Sequence, residues 1–260
     1  MGTEFPKYII VGRGRWAPRI QAILDGERRV TARLEESRRG KSEEDAAYRE
    51  RLHSSFKGCG ADIAWLCVTP GPHISVMIEA ALEAGLHAVV EKPWLCSKEE
   101  TNRLEMLARS RGCVVAIHYE YCLWDAIEEW KRDWNDGDGL RFGGRMCVKR
   151  PNHSGLAALD NFGSHLFSVH EYCVAQSEIV EIDCAYQQPD ERRVWLDRGT
   201  QRVAEIDFLA NKEPIIQRFI ARVEAAAAGR TDFPFDLQFA LRVAEQGERW
   251  KRVSEAGEDR

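Results

Sequence analysis

The sequence lacks the features that mark membrane and secreted proteins. It has no apolar run of about 18 residues, which a membrane-spanning helix requires, and its first residues have neither the basic nor the apolar stretch of a secretory signal. A myristoylation signal is also incomplete, because Pro6 stands where Ser or Thr is needed. Positive charge is not in excess, since 37 Lys and Arg face 42 Asp and Glu for a net charge of −5. These absences predict a cytoplasmic protein with no nucleic-acid partner and no membrane partner.

Regular cysteine spacing is missing as well. The chain has eight cysteines, but no C-x-x-C pair occurs among them. Disulfide frameworks belong to small secreted domains, and structural zinc sites need closely paired ligands. With 260 residues, 44% of them hydrophobic, the chain is long enough for a large core. We therefore expect reduced, mostly buried thiols and no metal site.

Segments typical of strands and helices alternate through the first 121 residues. Apolar strands are predicted at 7–11, 30–34, 63–68, 88–90 and 114–117, with helices between them. One helix is predicted to begin with Ser42 as its N-cap, and another with a capping box from Ser97 to Glu100. This alternation predicts an α/β fold with an N-terminal Rossmann domain, a doubly wound parallel sheet, over 1–121.

The pattern changes after Tyr121. Helices are predicted at 123–134, 154–175, 214–228 and 235–251, and strands at 144–150, 179–186, 192–196 and 202–209. We expect the last three strands to be antiparallel, with Pro189-Asp190 and Arg198-Gly199 as turns. Residues 122–260 are thus predicted to form an α+β domain with a mainly antiparallel, open-faced sheet. The helices within 214–251 are candidates for packing back on the first domain.

A glycine turn of the form G-x-G-x-x-A follows directly on the first predicted strand and opens a helix. Gly12 permits a tight turn, Gly14 lets the backbone approach a pyrophosphate, and Ala17 lets the helix pack closely. Arg15 and Trp16 lie at the start of this helix, whose amide groups are donors for phosphate. The turn predicts a nicotinamide-dinucleotide site.

The choice between NAD and NADP stays open. Glu35 is placed at the end of the second strand, where a carboxylate binds the ribose hydroxyls of NAD. Ser37, Arg38 and Arg39 follow directly, and these residue types favour the 2′-phosphate of NADP.

Two further motifs lie directly after predicted strands. Thr69-Pro70-x-x-His73 follows the strand 63–68, and Glu91-Lys92-Pro93 follows the strand 88–90. Together with the glycine turn they resemble the glucose–fructose oxidoreductase/inositol dehydrogenase/MocA (Gfo/Idh/MocA) family, strongly over 7–121 and more weakly beyond, with this chain a short member. The resemblance implies that these residues line the cofactor site. It also implies that Lys92 contacts substrate and nicotinamide ribose, and that the peptide bond before Pro93 is often cis.

The resemblance continues at Gly163-Ser164-His165. Family members usually have D-x-G-x-H here, whereas this chain has Asn161 at the aspartate position and Asp160 one residue earlier. On a helix, one residue rotates a side chain by about 100°. The implied catalytic residues are Lys92 and His165, which we expect to meet over the nicotinamide, assisted by Asp160 or Asn161.

The resemblance implies an NAD(P)-dependent oxidoreductase. It would transfer hydride between nicotinamide and a small hydroxylated substrate, such as a sugar or cyclitol, or an imine. The alternative is a dinucleotide-binding sensor or regulatory protein with reduced catalysis, which Asn161 and the short second domain favour. An imine or dihydrodipicolinate-type reductase is a third possibility whose usual signatures are not evident.

Partners and weaker substrate candidates complete the predictions. The expected partners are a small-molecule substrate and a second copy of the chain, because family members often pair their open sheet faces and apolar residues alternate between 178 and 209. A homodimer or higher homo-oligomer is therefore expected. Weaker substrate candidates are His118, Tyr119, Lys149, Asn152 and His153.

Overall fold

Short apolar runs in the first half of the chain form a parallel sheet. The computed structural model describes residues 5–26, 29–34, 39–40, 43–134, 139–149, 155–210 and 213–258. The chain divides into two compact units, the first comprising the described residues of Met1–His118 and Ile220–Leu241, the second those of Tyr119–Phe219 and Arg242–Arg260. The predicted functional division at residue 121 stays a prediction.

The sheet of the first unit has five parallel strands in the order β2-β1-β3-β4-β5. They are β1 (Tyr8–Val11), β2 (Val30–Leu34), β3 (Ile63–Leu66), β4 (His87–Val90) and β5 (Val115–Ile117). Every residue of β1 and β3 is buried, as expected of strands covered on both faces. The strand order reverses at β1, so the carboxyl ends of β1 and β3 flank the crevice where nucleotides bind in such sheets. The Rossmann prediction is confirmed.

Each pair of consecutive strands is connected by one helix. The four helices are α1 (Trp16–Asp25), α2 (Asp45–Lys57), α3 (Ile74–Glu83) and α4 (Lys98–Arg111). The predicted capping box is present, because the Ser97 side chain accepts from the Glu100 amide while the Glu100 carboxylate accepts from the Ser97 amide. The Ser42 N-cap is wrong, since α2 begins at Asp45 with Glu44 as N-cap; Ser42 itself lies outside the described residues. The preceding turn explains the later start: the Glu43 carboxylate accepts from the Gly40 amide at 2.9 Å.

The segment 220–241 belongs to the first unit. Glu224 accepts a hydrogen bond from the Tyr8 hydroxyl at 2.8 Å and pairs with Arg29. The Phe235 carbonyl accepts from the Ile117 amide at 2.9 Å, beside the edge strand β5. These bonds tie a distant part of the sequence to the parallel sheet.

The second unit contains a four-stranded sheet in the order β7-β6-β8-β9. Its strands are β6 (Leu140–Cys147), β7 (Glu178–Ala185), β8 (Glu191–Arg198) and β9 (Gln201–Asp207). The pairs β6–β8 and β8–β9 are antiparallel, so the mainly antiparallel sheet is confirmed. The prediction for β7 is wrong, because β7 pairs parallel with β6. Pro189-Asp190 therefore connects strands on opposite sides of β6 and closes no hairpin.

The helices of the second unit are α5 (Asp125–Asp133), α6 (Ser164–Cys173) and parts of α7 (Ile215–Ala227) and α8 (Leu237–Glu258). A 3₁₀ turn, Glu120–Leu123, precedes α5, and a π-helical turn, Leu159–Gly163, precedes α6. Helix α8 extends beyond the predicted end at residue 251.

One face of this second sheet carries charges. Arg145 pairs with Glu181, Asp183 and Glu191, and Arg202 pairs with Asp197 and Glu205. At the centre of the face Trp195 lies over Gly143, where a β-carbon would stand 2.3 Å from the indole. This face is therefore largely ion-paired, whereas the alternating apolar residues Val194 and Leu196 of β8 are buried. The homo-oligomer itself stays a prediction.

All eight cysteines are free thiols, four buried and four half-buried. Burial raises the pKa of Cys67 well above its usual value and that of Cys96 to about 12, which leaves both thiols protonated near neutral pH.

Among the described residues no group of three or more His, Cys, Asp and Glu side chains has the arrangement of a metal site. Within the same residues no helix combines the length and apolarity needed to cross a membrane.

Candidate active site

The glycine turn lies between β1 and α1, at the carboxyl edge of the parallel sheet. Gly12 has φ of +108°, and a β-carbon there would lie 2.5 Å from the Cys67 carbonyl oxygen that follows β3. Only glycine fits such a position without strain. Gly14 is exposed, and its β-carbon position is 3.3 Å from the same oxygen. The turn thus packs against the β3 loop on one side and is accessible on the other.

The N-terminus of α1 is suited to an anion. Arg15, its N-cap, makes no side-chain capping bond, and no acidic residue occupies the first turn. Arg13 and Arg15 are exposed beside it, while Ala17 is fully buried and allows close packing. A helix N-terminus with two exposed arginines beside it fits a pyrophosphate, although the Ala17 amide already donates to the Gly14 carbonyl and Pro18 has no amide hydrogen.

A buried polar cluster lies at the ends of β3, β4 and β5. The Trp65 indole nitrogen donates to a carboxylate oxygen of Glu91 at 3.2 Å, and His118 Nδ1 lies 3.2 Å from the same oxygen. Trp65 and His118 have no exposed surface, and Glu91 is 6% exposed. Trp16 packs edge-on against the His118 ring with centroids 5.3 Å apart. Glu91, His118 and Trp16, which the sequence marked for separate reasons, therefore belong to one cluster.

Lys92 follows Glu91 directly. Its side chain is 8% exposed, and the Lys92–Pro93 peptide bond is cis, as the family resemblance implies. Because lysines are seldom buried to this extent, the position points to a functional role. Glu91, held by Trp65 and His118, fixes the backbone that carries Lys92.

The third strand-end motif is more open. Thr69 is exposed and Pro70 half-buried. His73 is the N-cap residue of α3 and packs against the Tyr48 ring of α2 at 6.0 Å. The described contacts of His73 are therefore structural.

Several predicted residues lie outside the described residues. These are Glu35, Ser37 and Arg38 for the cofactor and Asn152 and His153 for the substrate. Arg39 is described, and it bonds the Glu43 carbonyl oxygen and the Asp45 carboxylate. The choice between NAD and NADP stays open.

In the second unit, His165 of α6 is buried in an aromatic cluster. Its ring lies 4.6 Å from the Tyr121 ring, which also contacts Phe208 at 4.8 Å and stacks on Trp124 at 6.2 Å. The Tyr121 hydroxyl accepts a hydrogen bond from Arg192 of β8 at 3.1 Å. Tyr121 belongs to the stretch 118–121 that follows the last parallel strand, where ligands meet such sheets. Sequence reasoning missed Arg192, since no local motif marks an arginine on the inner face of a sheet.

The two acid/base candidates before His165 point to different partners. Asp160 forms an ion pair with Lys251 of α8 at 2.6 Å. Burial opposes the charge on Lys251, but hydrogen bonds to Asp160 and Glu248 outweigh it and raise the pKa of Lys251. Asn161 donates to the Tyr186 hydroxyl at 3.0 Å, and that hydroxyl donates to the Leu156 carbonyl. Their divergence agrees with the rotation of about 100° expected between neighbouring helical residues.

The two weaker substrate candidates in this unit, Tyr119 and Lys149, differ in their exposure. Tyr119 is fully buried. Lys149 is exposed, and its backbone amide donates to Asp190 at 2.5 Å.

Residues 7–119 match the model of an oxidoreductase family with an NAD-binding Rossmann fold, Gfo/Idh/MocA. The match includes the glycine turn, the Thr69-Pro70 loop and the Glu91-Lys92-Pro93 motif of the Gfo/Idh/MocA segment. No curated protein matches the chain in sequence.

Solved structures resemble the whole chain. The WlbA (WbpB) dehydrogenase from Thermus thermophilus, solved with NAD and UDP-GlcNAcA, has 15% identity, a TM-score of 0.69 and coverage of 93% of both chains. UDP-N-acetylglucosamine 3-dehydrogenase GnnA from Acidithiobacillus ferrooxidans has 16% identity, a TM-score of 0.74 and coverage of 94% of this chain and 96% of that one. Biliverdin reductase from Synechocystis sp. PCC 6803, solved with biliverdin and NADP+, has 14% identity, a TM-score of 0.66 and coverage of 92% and 96%. At these identities the similarity establishes the fold alone.

Proposed function

We propose that the protein is an NAD- or NADP-dependent dehydrogenase that acts on the CH–OH group of a small hydroxylated substrate, such as a sugar or cyclitol, or on an imine. The observation that carries the proposal is the buried Lys92 at the carboxyl edge of the sheet that carries the glycine turn. We assign residues 1–121 to the dinucleotide and 122–260 to the substrate.

The first unit suits the dinucleotide. Gly14 is exposed and leaves the backbone of the turn accessible, and the start of α1 has Arg13 and Arg15 exposed beside it, which suits a pyrophosphate. When bound, the nicotinamide ring accepts or donates the hydride. The cluster of Trp65, Glu91 and His118 holds the end of β4, so that Lys92 has a defined position.

Lys92 and His165 are the proposed catalytic residues. A lysine ammonium beside the substrate oxygen would stabilise the negative charge that forms there as the hydroxyl loses its proton or, in the reverse direction, as the carbonyl carbon gains hydride. His165 is the proposed group that takes or returns the hydroxyl proton, because an imidazole ring can both accept and donate a proton. Asn161, held by Tyr186, would orient the substrate as a hydrogen-bonding group without itself exchanging a proton.

The similar proteins support the reaction class. The family is described as oxidoreductases, one similar structure is a dehydrogenase solved with UDP-GlcNAcA, and another is a UDP-N-acetylglucosamine 3-dehydrogenase. Biliverdin reductase, the third, acts on a different chemical class. The proposal is therefore limited to hydride transfer with a hydroxyl or imine carbon.

The test is turnover of a panel of sugars, cyclitols and their imines, followed by the absorbance of reduced nicotinamide. Lys92→Met should slow turnover about a hundredfold or more, while the dinucleotide dissociation constant stays within a few fold. His165→Gln should slow it by about 10²–10⁴-fold and change the pH profile. Lys98→Met, at an exposed position of α4, is the control.

Two results would contradict the catalytic assignment. One is a Lys92→Met variant as active as the Lys98→Met control. The other is a structure with bound cofactor in which Lys92 and His165 are more than about 10 Å apart, beyond any shared contact with substrate.

Asn161 supports a second candidate, a dinucleotide-binding sensor. It stands where family members have aspartate, and the neighbouring Asp160 is neutralised by Lys251. A sensor would bind dinucleotide but turn over no substrate of the panel, and Lys92→Met would then change no rate.

A further inference from the structure

The arginines within the second sheet, apart from the exposed Arg198 at the end of β8, fall into two groups according to the face they occupy. Arg141, Arg145, Arg193 and Arg202 are each paired with carboxylates. Arg192 is different: among the described residues no carboxylate lies within ion-pair distance of it, and its side chain donates to the Tyr121 hydroxyl instead. The difference calls for a reason, because a half-buried guanidinium is costly unless its donors are satisfied.

Strand periodicity places Arg192 on the inner face. Alternate residues of a strand share a face, and Val194 and Leu196, which follow Arg192 at this spacing, are fully buried. Arg192 lies opposite Met146 of β6, and its carbonyl accepts from the Phe208 amide. Its surroundings are thus apolar and aromatic, which strengthens an electrostatic interaction with a bound anion.

The Arg192 guanidinium has a donor that no described residue satisfies. Nη1 donates to Tyr121 at 3.1 Å. Nε is shielded from solvent and has no hydrogen-bond partner among the described residues. Nε and Nη2 form the side of the guanidinium that binds both oxygens of a carboxylate with two parallel hydrogen bonds.

This edge is linked to the proposed proton-transfer residue. Tyr121, to which Arg192 donates, has its ring 4.6 Å from the His165 ring. An anion on Arg192 would therefore lie within a small molecule's length of His165.

We propose that Arg192, positioned by Tyr121, is a specificity-determining residue that binds a carboxylate of the substrate. The proposal rests on the proposed function. It narrows the substrate class to carboxylic acids that also carry hydroxyl groups, such as sugar acids. Arg192 selects the substrate and takes no part in hydride or proton transfer.

The experiment compares three probes of the same ring size by titration calorimetry: D-glucuronate, D-glucose and D-glucose 6-phosphate. Each is titrated into the full chain with and without the dinucleotide that binds more tightly. Glucuronate is expected to bind at least about tenfold more tightly than glucose, since hydrogen bonds to a charged group contribute that much. Arg192→Met should abolish the preference and Arg192→Lys should weaken it, because lysine keeps the charge without the two-pronged geometry.

Arg193→Met is the matched control, since Arg193 is the next residue and pairs with Glu191 and Glu205 instead. It should keep the preference. Tyr121→Phe removes the hydroxyl alone and should reduce the preference, which reports on positioning even if Arg192→Met folds poorly.

Two results overturn the proposal. One is equal or undetectable affinity for glucuronate and glucose, or a preference that survives Arg192→Met. The other is a preference for glucose 6-phosphate over glucuronate that depends on Arg192, which would replace the carboxylate with a phosphate. Failure of the proposed function is distinguishable, because it appears as absence of dinucleotide binding whatever the probes do.

Discussion

Gly12 joins conformation to function at a single residue. Its φ of +108° disfavours any side chain, and a β-carbon would meet the Cys67 carbonyl oxygen at 2.5 Å. Gly12→Ala should therefore lower the free energy of unfolding by about 1–3 kcal/mol and weaken dinucleotide binding, because the turn must shift. Urea denaturation and calorimetry measure the two effects.

Gly58→Ala is the control for this change, since Gly58 has ordinary backbone angles and open space around its β-carbon position. It should leave dinucleotide binding unchanged. Equal stability of Gly12→Ala and Gly58→Ala would contradict the close packing of the turn against the β3 loop.

Residue motifs predicted the candidate site only in part. The glycine turn and Glu91-Lys92-Pro93 were recognisable because strand ends constrain their residue types locally. The contacts of Trp65 and Arg192 were not predictable, because their partners, Glu91 and Tyr121 respectively, are distant in sequence. Such contacts exist only once the sheets have formed.

Two buried histidines make the stability of the elements they join depend on pH. His87 of β4 accepts a hydrogen bond from the Val114 amide at 2.9 Å through Nδ1, and burial lowers its pKa. Burial likewise lowers the pKa of His170 in α6, despite hydrogen bonds to Ser177 and Gln246. Both folded pKa values lie below the unfolded value of about 6.5.

The sign of the effect follows from these directions. Folding favours the neutral forms, so their contribution to stability is complete above about pH 6.5 and is lost as the pH falls toward the folded values. The free energy of unfolding should fall between about pH 7.5 and pH 5.5 in urea titrations. His87→Asn keeps an acceptor for Val114 and should show a smaller fall; an equal fall would exclude His87 as a cause.

At the scale of elements, the hydrophobic periodicity predicted where the strands lie better than it predicted which strands pair. The strands of the parallel sheet were predicted within one or two residues, because four of the five are short apolar runs between clear breaks; β2, Val-Thr-Ala-Arg-Leu, is the exception. Strand β6 begins at Leu140, four positions before its predicted start at 144, since Gly143 and Gly144 resemble a break. In the structure the Trp195 indole packs over Gly143 and occupies the space that a side chain there would need. The parallel pairing of β7 with β6 depends on chain connection, which alternation of residues does not encode.

The whole molecule is expected to self-associate through the charged face of the second sheet. Rows of arginine and carboxylate on neighbouring strands can pair with the same rows of a second copy related by a two-fold axis. Light scattering at micromolar concentration and low salt should give a dimer that weakens as salt is added, because exposed ion pairs are screened. A monomer of 29.7 kDa under all conditions would contradict this.

Arg145→Glu reverses the charge at the centre of that face and should dissociate the dimer. Arg132→Glu, on the exposed side of α5, should leave it intact. Dissociation by both variants, or by neither, would place the interface elsewhere.

Binding of a nicotinamide dinucleotide is the central claim, and calorimetry tests it directly. The full chain is titrated with NAD+, NADH, NADP+ and NADPH, and at least one should bind with a dissociation constant in the micromolar range, an order of magnitude typical of enzyme ligands. Gly14→Asp, which adds a carboxylate at the exposed glycine of the turn, should abolish that binding. No heat from any of the four dinucleotides, or equal binding by Gly14→Asp, would contradict the account.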